Sequence, residues 1–235
     1  MLMAAPVFGA RLVPVRVRMA LAMILALVMA PMVSVDTSAI DPLSAQGLLI
    51  TMQQILIGLA MGFTLQMVFA ATIIAAQSIA MSMGLGFATA VDPANGVQVP
   101  VIGQYYLTLT TLLFLALNGH LLLVQILLDS FQSLPISVVG LTQPDIWAIV
   151  GWGSRMFAGA LMIALTAMTA LLLINLAFGV MSRAAPQLNI FGIGFPVMTG
   201  TGFIIIMLSL PGITPQVSSL MQDAFQLLRS LAGGG

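Results

Sequence analysis

The side chains able to carry out chemistry are few in this 235-residue chain, which has one His, His120, and no Cys. Its six basic residues are all Arg and its six acidic residues are all Asp. A zinc site needs three or four N, S or O ligands, so a lone His without Cys argues against one. A Walker A phosphate loop requires Lys and is excluded. A Ser–His–Asp triad could use only His120, and a single His beside many Ser and Asp residues does not indicate one.

The glycine-rich stretches do not provide a cofactor site either. Each begins like the dinucleotide fingerprint G-x-G-x-x-G and lacks the third glycine. The failing positions are Thr89 after Gly84-x-Gly86, Val197 after Gly192-x-Gly194, and Ile205 after Gly200-x-Gly202. A net charge of zero predicts no basic surface for nucleic acid. We therefore expect no catalytic, metal or cofactor-binding residues, no nucleic-acid partner and no enzymatic activity.

Segment 83–96 is the strongest candidate for function, because two glycines, an Asp-Pro pair and an Asn-Gly pair interrupt an apolar run of membrane length. Irregular backbone at membrane depth is tolerated only where protein buries it or water lines it. One interpretation is a gate or pore loop with an apolar constriction. The other, which composition alone favours, is a plain turn outside the membrane. The candidate gate residues are Met81, Met83, Gly84, Gly86, Phe87, Asp92 and Pro93.

A second group of candidates consists of small and polar residues within apolar runs. Gly58 and Gly62 form a small-xxx-small pattern, which permits close approach of another helix. Gln66 and Gln77 are three helical turns apart and share a face, where we expect them to meet protein or water. Helix packing is the favoured role, and a substrate path is the alternative.

Two further polar motifs have both a structural and a functional interpretation. Asn118 and His120 lie in the apolar run 107–128, where a hydrogen-bonded kink is favoured over a proton-relay site. The segment 183–196 is predicted to be a loop between helices, because Pro186 disfavours helix at the preceding residue. Its polar residues would cap helix ends or contact a partner; the candidate partner-loop residues are Arg183, Pro186, Gln187 and Asn189.

The elements that must position these residues are apolar helices. Only 5% of residues are charged, 60% are hydrophobic and the mean hydropathy is +1.16, which nearly excludes a soluble globular enzyme. The apolar runs are too long and lack the two-residue alternation of strands. The sequence predicts an all-α, polytopic membrane-type helical bundle with long, partly broken helices. The predicted helices are 12–34, 47–69, 71–88, 102–131, 152–182, 190–209 and 215–231, the last of them amphipathic and interfacial or partner-facing.

The charges at the two ends of the fifth predicted helix complicate its orientation in a membrane. Arg155 and Arg183 would lie about 42 Å apart along it, so one of them must face the outside if that helix spans. The positive-inside rule alone does not resolve this conflict.

Several of these stretches, taken together and in order, resemble the FliR family of type III export-gate subunits. The matching stretches are Ala5–Gly9 followed by Arg16 and Arg18, Gln53–Phe63, Met83–Pro93, Leu115–His120 with Asp129 and Phe131, and Arg183–Pro196. Each stretch is weak evidence alone, but the set covers nearly the whole chain. The chain differs from the family pattern at Gln77, where relatives often carry an acidic residue, and relatives begin roughly one helix length earlier.

The resemblance implies a structural and gating subunit of the bacterial flagellar type III protein export gate. Its expected partners are FliP-like and FliQ-like subunits, an FlhB-like switch protein, unfolded flagellar export substrates and membrane lipid. It implies a FliP-like part over 1–150, including a plug loop at 83–103, and a FliQ-like helical hairpin over 151–235. The expected location is the inner membrane and flagellar basal body, partly displaced toward the periplasm. A self-sufficient secondary transporter or channel is the alternative.

Overall fold

All regular structure in the described part of the chain is helical. The computed structural model describes residues 1, 4–9, 13–32, 44–85, 101–133, 140–184 and 194–232. The helices are α1 (Val15–Met29), α2 (Ala45–Ser82), α3 (Val101–Ala116), α4 (Gly119–Ser133), α5 (Gln143–Ala184) and α6 (Phe195–Leu231), with a 3-10 turn (Ala30–Met32) after α1. The predicted all-α, membrane-type fold is confirmed.

Three helices, α2, α5 and α6, are long and apolar enough to cross a membrane, and α3 with α4 makes a fourth span if that bent pair is counted as one. At 1.5 Å per residue, the 42 residues of α5 extend about 63 Å, roughly twice the thickness of a hydrocarbon core. Arg155 and Arg183 can therefore both lie outside a core of that thickness. They then lie on opposite sides of it, so the length of α5 leaves one of the two charges on the outer side of a membrane that this helix spans.

Helix α2 replaces two helices that the sequence predicted separately at 47–69 and 71–88. It is continuous over 38 residues, because the residues around position 70 include no helix breaker. The hydroxyl of Ser44 accepts a hydrogen bond from the Gly47 N–H at 3.1 Å and so caps its first turn. The predicted boundary at residue 70 is wrong.

Asn118 divides the single helix predicted at 102–131 into α3 and α4, which meet at an angle of 62°. Its φ of 55° is left-handed, a conformation that Asn tolerates better than most residues. Its N–H donates to the Leu115 carbonyl at 3.1 Å, and its own carbonyl accepts from Leu121 and Leu122 at 3.0 Å each. One residue thus ends α3 and starts α4.

Helix α5 begins earlier than predicted, at residue 143, because a capping box precedes it. One carboxylate oxygen of Asp145 accepts hydrogen bonds from the Thr142 N–H at 2.8 Å and from the Thr142 hydroxyl at 2.6 Å.

Helix α6 merges the two segments predicted at 190–209 and 215–231, since it continues through Pro211 and Pro215. Apolar surroundings offer the backbone no alternative hydrogen-bond partner, which favours helix despite the prolines.

The chain forms two compact units, and both contain residues from either side of residue 150. Unit 1 consists of Met1–Phe69, Phe114–Arg155 and Leu220–Gly235; unit 2 consists of Ala70–Leu113 and Met156–Ser219. Five of the six Arg and five of the six Asp fall in the ranges of unit 1, which leaves only Asp92 and Arg183 for unit 2. Unit 2 is therefore the part of the chain best suited to apolar surroundings.

An aromatic cluster lies at the core of unit 1. Phe114 is 1% exposed, and its ring centroid is 6.0 Å from that of Phe69 and 6.4 Å from that of Phe225. The cluster joins α2, α3 and the end of α6.

The six apolar positions of the amphipathic segment in α6 are all buried: Val217, Leu220, Met221, Ala224, Leu228 and Leu231. The predicted apolar face exists, but it packs within the chain and is not left free for an interface.

Candidate functional site

The candidate gate segment begins at the C-terminal end of α2, where the helix terminates in a Schellman motif. The Leu85 N–H donates to the Ala80 carbonyl and the Gly84 N–H donates to the Met81 carbonyl, both at 3.0 Å. Gly84 has φ 83°, a left-handed conformation that a side chain would strain. This cap ends α2 at residue 82 although the sequence predicted helix up to residue 88.

Two methionines at this end of α2 have opposite environments. Met81 is 71% exposed, whereas Met83 is fully buried. Met83 crosses the backbone of Gly202 in α6, so that a Cβ built at Gly202 would lie 2.5 Å from its Cε and 2.6 Å from its Cγ. Within this chain, Met83 therefore packs in unit 2 and Met81 is available to surfaces outside the chain.

Two other side chains of unit 2 contact the same helix end. The Phe195 ring would lie 3.5 Å from a Cβ at Gly84. The Asn175 side-chain amide donates to the Ser82 carbonyl at 3.4 Å, which satisfies one of the carbonyls left free at a helix C-terminus. Helices α5 and α6 together thus hold the point from which the candidate gate segment starts.

The remaining candidate gate residues lie outside the described residues. These are Gly86, Phe87, Asp92 and Pro93, and with them most of the proposed plug loop 83–103. The far end of that range is described as the first turn of α3, where Val101 is exposed and Ile102 is buried.

Gly58 and Gly62 face the N-terminal segment of unit 1. The small-xxx-small pattern had led us to expect another helix as their packing partner. A Cβ at Gly58 would lie 2.9 Å from the Met1 nitrogen, and one at Gly62 would overlap the Cβ of Ala4. The Gln66 amide donates to the Ala4 carbonyl at 3.1 Å. The two glycines and Gln66 therefore seat this segment on α2.

The other polar candidates are dispersed. Gln77 is half-buried in unit 2, whereas Gln66 belongs to unit 1. His120 follows the bend at Asn118 and has a buried Nδ1 atom with no hydrogen-bond partner among the described residues. No group of three potential metal ligands occurs in the described part of the chain. Among the described residues, His120 is therefore not part of such a group.

The candidate partner loop is described only at its start. Arg183 is exposed in the last turn of α5, where its charge complements the helix dipole. Pro186, Gln187 and Asn189 lie outside the described residues. Arg155, at the other end of the apolar part of α5, forms an ion pair with Asp223 at 3.8 Å within unit 1.

Sequence reasoning missed the residues that hold the end of α2. Gly202 was noted only in a failed cofactor fingerprint, and Asn175 and Phe195 were given no role. Gly202 does carry a signal, because a small residue in a membrane-length helix permits close approach of another segment. What the sequence does not reveal is which segment approaches, since Met83 is far away along the chain.

The chain matches the family described as bacterial export proteins, family 1, over residues 1–224. It is 41% identical to the flagellar biosynthetic protein FliR of Escherichia coli (strain K12) over 227 residues, which cover 97% of this chain and 86% of the relative.

Other relatives match over similar lengths. The FliR protein of Pectobacterium carotovorum subsp. carotovorum is 39% identical, with the same coverage of 97% and 86%. That of Bacillus subtilis (strain 168) is 29% identical over 229 residues, which cover 96% of this chain and 88% of the relative. This chain therefore belongs to the bacterial export proteins, family 1, together with the FliR proteins.

Proposed function

We propose that this chain is a structural and gating subunit of the flagellar type III export gate and acts together with FliP-like and FliQ-like subunits. The family match over nearly the whole chain is the observation that carries the proposal, since it implies a role in flagellar protein export within an export apparatus. The relatives are named as biosynthetic and export proteins, not as enzymes.

The exposed surface of α5 and α6 supports an assembly partner. Only 33% of the most apolar window of α5 and 22% of that of α6 is buried within the chain. Leu161, Leu165, Leu172 and Leu176 are examples of large apolar side chains exposed on α5. Lipid covers about 30 Å of helix length, and α5 is about twice as long. Neighbouring apolar subunits would cover what lipid does not.

The gating role is assigned to the segment 83–103. Its start is capped and held by α5 and α6, which gives the segment a defined origin. Met81, exposed at that origin, and Phe87 would contribute to an apolar seal against other subunits, while Met83 packs inside the chain. Gly84 is assigned to the cap of α2, and Gly86, Asp92 and Pro93 are assigned to the plug.

The remaining assignments follow the family resemblance. Residues 1–150 form the FliP-like part, and 151–235, which contain most of α5 and all of α6, form the FliQ-like hairpin. Arg183, Pro186, Gln187 and Asn189 form a loop for a partner, with an FlhB-like protein as a further neighbour. Location in the flagellar apparatus of the inner membrane is supported by the small number of charges in unit 2, which suits apolar surroundings. Displacement toward the periplasm is proposed from the family resemblance alone.

Purification of the tagged chain in mild detergent, with identification and counting of the proteins that accompany it, tests this function. We expect several FliP-like and FliQ-like subunits for each copy of this chain. A variant with Leu172→Ala and Leu176→Ala should lose part of these partners. Truncation at a protein interface removes packing contacts between the subunits, and lipid would then occupy the space in place of a partner. The rival transporter hypothesis would be favoured by a purified chain that has no partners and alone mediates uptake into vesicles.

A further inference from the structure

We infer that Met83 and Gly202 form a fixed anchor that positions the start of the candidate gate segment and that stays in place during export. This inference rests on the proposed gating function. It concerns residues of unit 2 alone, namely Ser82, Met83 and Gly84 at the end of α2, Asn175 in α5, and Phe195 and Gly202 in α6.

Met83 and Gly202 are packed closely against each other. Met83 is fully buried, and three of its side-chain atoms lie 2.5 to 2.8 Å from where a Cβ at Gly202 would be. Any residue other than glycine at position 202 would therefore require Met83 to shift. A long apolar side chain that lies on bare backbone is the arrangement that small residues permit between membrane-type helices. The Met83 side chain thus packs directly against the backbone of Gly202.

The backbone on either side of Met83 is also held. The Schellman hydrogen bonds of Gly84 and Leu85 lock the chain direction at the helix end. The Ser82 carbonyl accepts a hydrogen bond from Asn175, and the Phe195 ring lies beside Gly84. Ser82, Met83 and Gly84 are therefore held in place by contacts with α5 and α6. A helix end with a buried side chain and satisfied backbone belongs to the more stable parts of a protein.

Cysteine cross-linking tests the anchor directly, because the chain contains no Cys. In the variant Met83→Cys/Gly202→Cys, the bulk of the Met side chain is removed. The Met83 Cγ lies 2.6 Å from where a Cβ at Gly202 would be, so the two Cβ atoms are at most about 4.1 Å apart, which is within the range of a disulfide. We expect mild oxidation of the assembled complex to form the bond without loss of assembly, and we expect the oxidised complex to export flagellar substrate as fast as the reduced one. The control variant Met81→Cys/Gly202→Cys should not cross-link, because Met81 is exposed.

Two results would overturn the anchor. Failure of the Met83→Cys/Gly202→Cys pair to cross-link would show that the two residues are not in contact. Loss of export on oxidation, restored by a reducing agent, would show that Met83 must leave Gly202 during export.

A second set of variants tests the positioning role by ion conductance. Met83→Ala should raise the fraction of molecules in which the end of α2 has left its contact with Gly202 by roughly tenfold or more, because truncation of a buried Met leaves a cavity. Conductance of the assembled complex should rise with it. Met83→Ala combined with Gly202→Val should return conductance toward that of the unmodified complex, since the added side chain refills the space.

These readouts separate failure of the anchor from failure of the proposed gate. If removal of residues 87–96 raises conductance and Met83→Ala does not, the gate stands and the anchor is contradicted. If the disulfide forms with export intact but removal of 87–96 changes no conductance, the anchor stands and the gating function is contradicted.

Discussion

Replacement of Phe114 by Ala should destabilise unit 1 strongly, because this residue is the centre of its aromatic cluster. Phe114 is 1% exposed, its ring meets Phe69 edge-on at 69°, and it stacks on Phe225 at 21°. Gly119 adds a third close neighbour, since a Cβ there would lie 2.6 Å from the Phe114 ring. One side chain therefore connects α2, α4 and the end of α6.

The expected loss of stability combines three contributions: transfer of the ring, the cavity and the lost ring pairs. Phe-to-Ala changes in soluble cores cost about 3–5 kcal/mol, of which a part is the transfer of the ring out of water. That part is smaller here, because lipid or detergent already surrounds the unfolded helices with apolar material. The cavity remains, together with the loss of two ring pairs worth about 0.5–1.5 kcal/mol each. We expect a loss of about 3 kcal/mol for Phe114→Ala and about 1 kcal/mol for Phe114→Leu, which retains most of the volume.

Unfolding in a mixed detergent titration, followed by tryptophan fluorescence, measures this difference. Trp152 lies in unit 1 and is buried, so its emission reports on the same unit. The matched control is Phe63→Ala, because Phe63 lies in the same unit and on α2 but is 55% exposed. We expect the control to change stability by less than about 0.5 kcal/mol. Equal losses for Phe114→Ala and Phe63→Ala would refute the cluster as the core of unit 1.

Three smaller effects follow from local geometry. Asn118→Gly should be nearly neutral and Asn118→Val should cost about 1–2 kcal/mol by the same unfolding titration, since the φ of 55° penalises a β-branched residue. Asp145→Ala should remove the two hydrogen bonds from Thr142 and cost about 1 kcal/mol, with a lower helical signal in circular dichroism. Arg155 and Asp223 form a solvent-exposed pair, so Asp223→Asn should cost less than about 1 kcal/mol, and 1 M salt should abolish the difference; a larger, salt-independent loss would contradict an exposed pair.

The helical, membrane-type class was predictable from composition, because long uncharged runs leave little alternative to helices. Helix boundaries were predictable only where a local signal decides them. The Thr142–Asp145 capping box was readable and was overlooked, whereas the continuation of α6 through Pro211 and Pro215 goes against the local signal. There, the apolar surroundings outweigh the intrinsic effect of proline.

The candidate site was predictable in part. The two glycines at 84 and 86 marked the region in which the apolar run is interrupted, although the predicted helix continued to residue 88. Gly84 performs there the role that a left-handed glycine usually has. The contrast between buried Met83 and exposed Met81 could not be read from the sequence, because it depends on α6 lying beside the end of α2. The roles of Gly202 and Asn175 depend on contacts between distant parts of the chain, which a single sequence does not specify.

We propose that the segment after α2 seals an export channel, and ion conductance through the purified complex in a planar bilayer measures that seal. The variant that lacks residues 87–96 retains Gly84 and Leu85, so the cap of α2 and its contacts with α5 and α6 are preserved. We expect this variant to show higher conductance than the intact complex, with the same subunit composition. Unchanged conductance in a complex of unchanged composition would contradict it.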